Sequence, residues 1–223
     1  MCAILTPDFF QYGCVGVISP AIECKLVDVP DAGYFATNTP QQGEILIRGP
    51  AVTTGYFKRE DVTKETFTED GWLKTGDIGQ WNADGTLSLI DRKKNLVKLA
   101  GGEYIAIEKL ESTYKACDLV SNICVIADSD AKQPMAVVFP HEANLKGALG
   151  SGGDLSELLK DSKAKKTVLD AANQTGKKAG FSQMELLQTV LLVGEELPMT
   201  AAQKLERKKV EEKFQDEIKK VYP

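Results

Sequence analysis

The segment from Asp70 to Glu111, DGWLKTGDIGQWNADGTLSLIDRKKNLVKLAGGEYIAIEKLE, constrains the fold more than any other part of the chain. It sets short apolar runs between glycines that mark turns or close approaches. Thr86 to Asp91 (TLSLID) alternates as a half-buried strand and delivers Arg92 just beyond its end, where binding groups often sit. Lys74 to Asp77 (KTGD) puts an acid directly after Gly76, so a glycine-permitted turn holds Asp77 at the end of a short extended segment. Two readings of that acid are open. Asp77 caps the turn, or its acceptor-only carboxylate reads paired hydroxyls such as those of a ribose. Arg92, Lys93 and Lys94 are a solvated surface run, or a planar guanidinium beside a ribose-reading acid that holds the same sugar or a phosphate. Asn95 to Leu99 reads as a strand. Gly101-Gly102 after it is a plain hairpin turn or a point where the backbone approaches a ligand.

The flanking sequence predicts an α+β chain. Residues 1–91 read as short strands and turns, clearest at Ile22 to Val29, Glu44 to Arg48, Ile78 to Trp81 and Thr86 to Ile90. Gly43 to Phe57 (GEILIRGPAVTTGYF) supplies one of these strands, with turns at Gly49-Pro50 and Gly55. Past residues 92–94, residues 95–223 read as a second unit. It has a strand near Asn95, a helix from Ile107 to Lys115, strands at Asn122 to Ala127 and Ala136 to Phe139, helical stretches, and a late strand at Leu191 to Val193. Gly150 to Asp154 (GSGGD) reads as a flexible connector with Asp154 as a helix cap. After Leu197 to Lys204 (LPMTAAQK), the apolar residues Leu205, Val210, Phe214, Ile218 and Val221 fall on one face of a terminal helix that Lys204 opens. Read alone, Lys204 is surface filler.

Taken together these segments carry a resemblance. Asp70 to Glu111 closely resembles the signature segment of long-chain fatty acyl-CoA synthetases, in their fungal-like form. These are members of the adenylate-forming, AMP-binding superfamily, which activate a carboxylate with ATP and pass the acyl group to coenzyme A. GEILIRGPAVTTGYF resembles the superfamily segment GExxIxGxxxxxGY, which helps frame the nucleotide site, and LPMTAAQK resembles the C-terminal catalytic signature. GGEYIAIEKLE, with Glu103 and Tyr104, is similar to the fatty acyl-CoA ligase version of its element. The resemblance implies that Asp77 and Arg92 hold the nucleotide ribose and that Lys94 is a hinge. It implies that Lys98, Gly101, Gly102 and Glu103 form the loop that lines the pantetheine tunnel in the thioester step. Lys204 is then the catalytic lysine that bridges carboxylate and phosphate during adenylation. Residues 1–91 become the C-terminal part of the large domain, 92–94 the hinge and 95–223 a mobile lid.

The same resemblance implies ATP or AMP, CoA and a long-chain fatty acid as ligands, with Mg²⁺ held by an acid outside this chain. The lysine-containing phosphate loop does not occur in the sequence, and Met1-Cys2-Ala3 begins just after the place where the resemblance puts the Thr-Glu that serves the Mg²⁺ ion. The chain is therefore expected to be the C-terminal third or so of a synthetase, inactive without the N-terminal portion that completes it. The expected location is the cytoplasmic side, with any membrane association carried by that portion. The loop before Pro198 is shorter than is usual in long-chain members. A non-catalytic nucleotide- or CoA-binding or interaction fragment stays open as an alternative, as does an adenylate-forming ligase for aryl or amino acids.

Composition removes other classes. The 223 residues are 43% hydrophobic and 26% charged, enough for one ordinary core and a second small one. A formal net charge of -5 argues against nucleic-acid binding, and the basic runs at 163–166 and 207–209 lie among acids as helix faces do. No apolar run reaches the ~20 residues of a membrane span, and no signal peptide is legible. Cys2, Cys14, Cys24, Cys117 and Cys124 are odd in number and lack CxxC spacing, which predicts reduced thiols. His141 is the only histidine, so neither a His-rich metal site nor a Ser-His relay with a spare partner is expected.

Overall fold

The computed structural model describes residues 3–7, 10–11, 13–150 and 154–222. Cys2, residues 151–153 of the expected connector and Pro223 lie outside the described residues. The chain divides into two compact units, Met1–Leu96 and Val97–Pro223, and the division falls two residues past Lys94. Strands and helices occur together, and the fold is α+β.

In the first unit, β1 (Ala3–Ile4) pairs antiparallel with β2 (Val17–Ile18). Four further strands, β3 (Glu23–Val27), β4 (Gln42–Arg48), β5 (Leu73–Trp81) and β6 (Leu87–Arg92), form an antiparallel sheet in that order. Helix α1 (Glu60–Thr66) joins β4 to β5. Ile45, Leu46, Ile78 and Leu87 are buried, as the alternation in their strands requires. One boundary departs from expectation. β5 begins at Leu73 rather than Ile78, because Gly76 does not end an extended segment but sits inside a bulge of a longer one. Glu44 pairs with Ile78 and Leu46 with Lys74, so β5 carries extra chain between those pairs, with Gly76 at φ +73°. Arg92 is the last residue of β6 and not one beyond it.

At the start of the second unit β7 (Leu96–Lys98), whose first residue ends the first unit, pairs with β8 (Tyr104–Ala106) in a two-stranded ribbon that runs into helix α2 (Ile107–Tyr114). Next come β9 (Val120–Ile126), β10 (Met135–Pro140), α3 (Glu142–Leu149), α4 (Leu155–Leu158), α5 (Ser162–Lys178) and β11 (Thr189–Leu192). β10 pairs antiparallel with β9 and parallel with β11. A parallel pair needs a long crossover, which α3 to α5 provide.

Alternation along these strands builds a core on each face of the sheet. Ile123, Val125, Ala136 and Val138 join Leu110 and Tyr114 of α2 and Ala164, Val168 and Ala172 of α5. Their neighbours Cys124, Met135 and Val137 join Leu197, Val210, Phe214 and Tyr222 on the opposite side.

The terminal helix is two helices, α6 (Arg207–Lys213) and α7 (Gln215–Val221), with Phe214 between them at φ -111° and ψ 21°. Phe214 is buried in the second core, so packing sets a break that no glycine or proline announces. Val221 is 39% exposed and does not share the expected apolar face. Tyr222 is buried instead, its hydroxyl donating to the Gln133 carbonyl at 2.9 Å. Lys204 precedes α6 rather than opening it, since the cap position belongs to Glu206. Asp154 occupies the cap position of α4, but its carboxylate accepts from the Ser156 hydroxyl and makes no side-chain cap to a backbone N–H.

Candidate functional site

Asp77 on β5 and Arg92 on β6 are direct cross-strand partners. Residues facing each other in an antiparallel pair bring their side chains together on one face, and here Arg92 Nε stands 3.5 Å from Asp77 Oδ1. The bulge sets the angle at which Asp77 leaves the sheet. Its backbone N–H donates to Thr75 Oγ1 at 3.1 Å, and the Thr75 hydroxyl donates to the Ile45 carbonyl on β4 at 2.8 Å. Thr75, Gly76, Asp77, Arg92, Lys93 and Lys94 line an open cavity of about 570 Å³. Asp77 and Arg92 both keep a third or more of their side-chain surface in solvent, so each can still meet a ligand.

The basic run resolves into three different environments. Arg92 faces Asp77. Lys93 Nζ lies 2.8 Å from Oε2 of Glu44, a carboxylate on β4 that is only 7% exposed. Lys94 is exposed, in the middle of a 3-10 turn spanning Lys93–Asn95. That turn is tied back by Asp91, whose carboxylate accepts from the Arg92 N–H and from Asn95 Nδ2 at 3.3 Å.

The glycine loop is a hairpin turn in the second unit. Leu99 N–H donates to the Glu103 carbonyl at 2.8 Å and Gly102 N–H to the Leu99 carbonyl at 2.9 Å. Ala100 N–H donates to the Ala131 carbonyl at 2.9 Å, fastening the loop to the body of the unit. Ala100, Gly101 and Glu103 border a cavity of about 430 Å³, with Lys132, Gln133, Gln183 and Met184 on its other walls. Lys98 is exposed on β7, its ammonium 5.9 Å from the Tyr104 ring centroid.

Lys204 is exposed on a small closed turn of the same unit. Its N–H donates to Thr200 Oγ1 at 3.1 Å, and the Thr200 N–H donates to the Lys204 carbonyl at 2.8 Å. Met199 and Leu205 bridge the base of the turn, and Gln203 takes φ +58°, a left-handed value unusual for a residue with a Cβ. The threonine and lysine of the PMTAAQK motif thus hold each other's backbone.

The structure brings Asp77 and Arg92 together in the first unit, places Lys94 on the cavity they line, and gathers Lys98, Gly101, Gly102 and Glu103 on one hairpin. Lys204 stands on a separate turn of the second unit. The sequence reading missed Thr75 and the Glu44–Lys93 pair as supports. It also missed a part-buried ion pair, Arg207 Nη1 to Glu111 Oε1 at 2.9 Å, which ties the start of α6 to α2. Burial pushes the Glu111 carboxyl above its ordinary range, with Arg207 opposing the shift. The same surroundings push the Cys124 thiol up to about 12. Charged residues inside two apolar-patterned segments were the only signal for this pair.

Comparison with known proteins gives concordant results. The model of the AMP-binding enzyme C-terminal domain matches residues 94–223. The long-chain-fatty-acid–CoA ligase 1 of Saccharomyces cerevisiae is 43% identical over 98% of this chain and 33% of its own length. The ligase of that name from Schizosaccharomyces pombe is 42% identical over 93% of this chain and 32% of its own length. The chain therefore spans about a third of the length of the curated relatives it matches. The A domain of a carboxylic acid reductase from Segniliparus rugosus, solved with AMP and a co-purified carboxylic acid, matches with a TM-score of 0.79 and 26% identity. That match covers 99% of this chain and 38% of the other.

Proposed function

The chain belongs to the AMP-binding enzymes through their C-terminal domain, and from that premise we propose that it is part of an ATP-dependent long-chain fatty acid–CoA ligase. A fatty carboxylate oxygen attacks the α-phosphorus of ATP, the bond to pyrophosphate breaks, and an acyl adenylate forms. The CoA sulfur then attacks the acyl carbonyl carbon, AMP leaves with the bonding pair, and the thiol proton passes to solvent. No general base is needed in the first step, since the nucleophile is already ionised.

Each residue has a physical task in this reading. Asp77 accepts hydrogen bonds from the ribose hydroxyls, and the fixed guanidinium fork of Arg92 holds the sugar from the facing strand. The Lys204 ammonium offsets the negative charge that builds on the α-phosphate and leaving-group oxygens. Gly101 and Gly102 leave room for the pantetheine arm, flanked by Lys98 and Glu103, and Lys94 is the pivot between the two steps. Among the described residues no three histidines, cysteines or acids converge as a metal site. The ligands of the Mg²⁺ that accompanies ATP belong to another part of the enzyme in this reading.

The observation that carries the proposal is the facing carboxylate and guanidinium at the rim of a cavity of about 570 Å³, a volume within the ordinary range for small-molecule sites. The test is a comparison of half-reactions in the parent enzyme. Lys204→Ala should depress pyrophosphate-forming adenylation and spare thioester formation from supplied acyl adenylate. Equal losses in both would count against the assignment.

A further inference from the structure

Lys204 has a long flexible side chain on an exposed turn, and an ammonium so placed contributes to a reaction only if its backbone is held in register. The Thr200 closure fixes the turn internally but does not fix where the turn points. The turn's entry is held by buried Leu197, and its exit is the start of α6 at Arg207, three residues past Lys204.

Arg207 is fastened unusually well for a residue at a helix start. Its Nη1 lies 2.9 Å from Glu111 Oε1, donates to the Val125 carbonyl and lies 3.5 Å from Cys124 Sγ. The same Glu111 oxygen accepts the Val125 N–H at 2.8 Å, so α2, β9 and α6 meet at one carboxylate that is 7% exposed. Stability alone does not account for such a pair. Removing two charges from water costs about what their attraction returns, and apolar replacements of similar volume are often as stable. What this guanidinium adds is placement: its Nη1 reaches the Glu111 carboxylate on α2 and the Val125 carbonyl on β9 together, so the entering helix is tied to two elements at once.

We propose that Arg207, held by Glu111, is the positioning residue for Lys204 and sets the efficiency of adenylation without touching substrate. This rests on the adenylation role proposed above for Lys204.

The experiment uses the parent enzyme with the pair replaced together, Glu111→Gln with Arg207→Met, so that no buried charge is left unpartnered. Adenylation kcat should fall by about ten- to a hundredfold, while KM for ATP and thioester formation from supplied acyl adenylate stay unchanged. In a Lys204→Ala background the same replacement should cause no further fall. A milder variant, Arg207→Lys, keeps the charge but loses the planar guanidinium and should show a smaller fall confined to the same half-reaction. Equal loss in both half-reactions, full additivity with Lys204→Ala, or an unimpaired adenylation rate would overturn the inference. If Lys204→Ala itself spares adenylation, the role of the lysine falls and this inference falls with it. If that variant is selective and the Glu111–Arg207 replacement is not, only the positioning role is lost.

Discussion

Gly76 stands at φ +73° with nothing within 4 Å of the place a Cβ would occupy, so a substitution there meets a backbone cost and no steric one. Gly76→Ala should destabilise the chain by about 1–2 kcal/mol, read as a lower urea midpoint. On the proposed reading it should also weaken AMP binding, because the bulge aims Asp77. Cys124 offers a test of a different kind. Burial raises its thiol from 9.0 to about 12, so the folded state holds a proton that the unfolded state has lost between those values. Its contribution to stability is complete below pH 9 and is lost as pH climbs towards 12. At pH 9 an alkylating reagent should label half-buried Cys24 in the native chain and leave Cys124 unmodified until the chain unfolds, as peptide mass mapping would show. At this scale the sequence was legible where residues of one short segment meet, as Asp77 and Arg92 do across adjacent strands. It was opaque where a partner is distant in sequence. Lys93 finds Glu44 at a separation of 49 residues, and nothing local to either predicts it.

Helix α5 makes the same distinction between local and tertiary causes. A Cβ on Gly176 would lie 2.8 Å from Phe181 Cδ2 and 3.1 Å from Tyr114 Cε1. Tyr114 cannot retreat, since its hydroxyl donates to the Glu185 carbonyl at 2.7 Å and its ring meets Phe181 edge-on at 5.5 Å. Gly176→Ala gains roughly 1 kcal/mol of helix propensity but overpacks a fixed core at a cost of about 1–3 kcal/mol. The packing effect should win, giving a lower denaturation midpoint despite the better helix former. The pattern of apolar residues located α2 and most strands to within a few positions, because alternation and helical spacing record which face is buried. It did not locate the break at Phe214 or the start of β5. The first is set by a core that α7 shares, and the second by cross-strand register, and neither is a property of the local sequence.

For the whole molecule, a composition ample in apolar residues and mixed in charge accords with a division into two compact units. Among the described residues no helix is long and apolar enough to cross a membrane. On the proposed reading the chain alone should bind AMP yet form no acyl-CoA thioester, which a thiol-release assay with fatty acid, ATP and CoA would check. The ribose hold is the point on which the functional account turns, and it can be examined without the rest of the enzyme. Isothermal titration of the chain with AMP and with 2′,3′-dideoxy-AMP should give an affinity at least about tenfold weaker for the dideoxy analogue, since hydrogen bonds to a charged carboxylate are lost. Asp77→Ala should abolish that difference. Equal affinity of the unaltered chain for the two nucleotides would contradict the account.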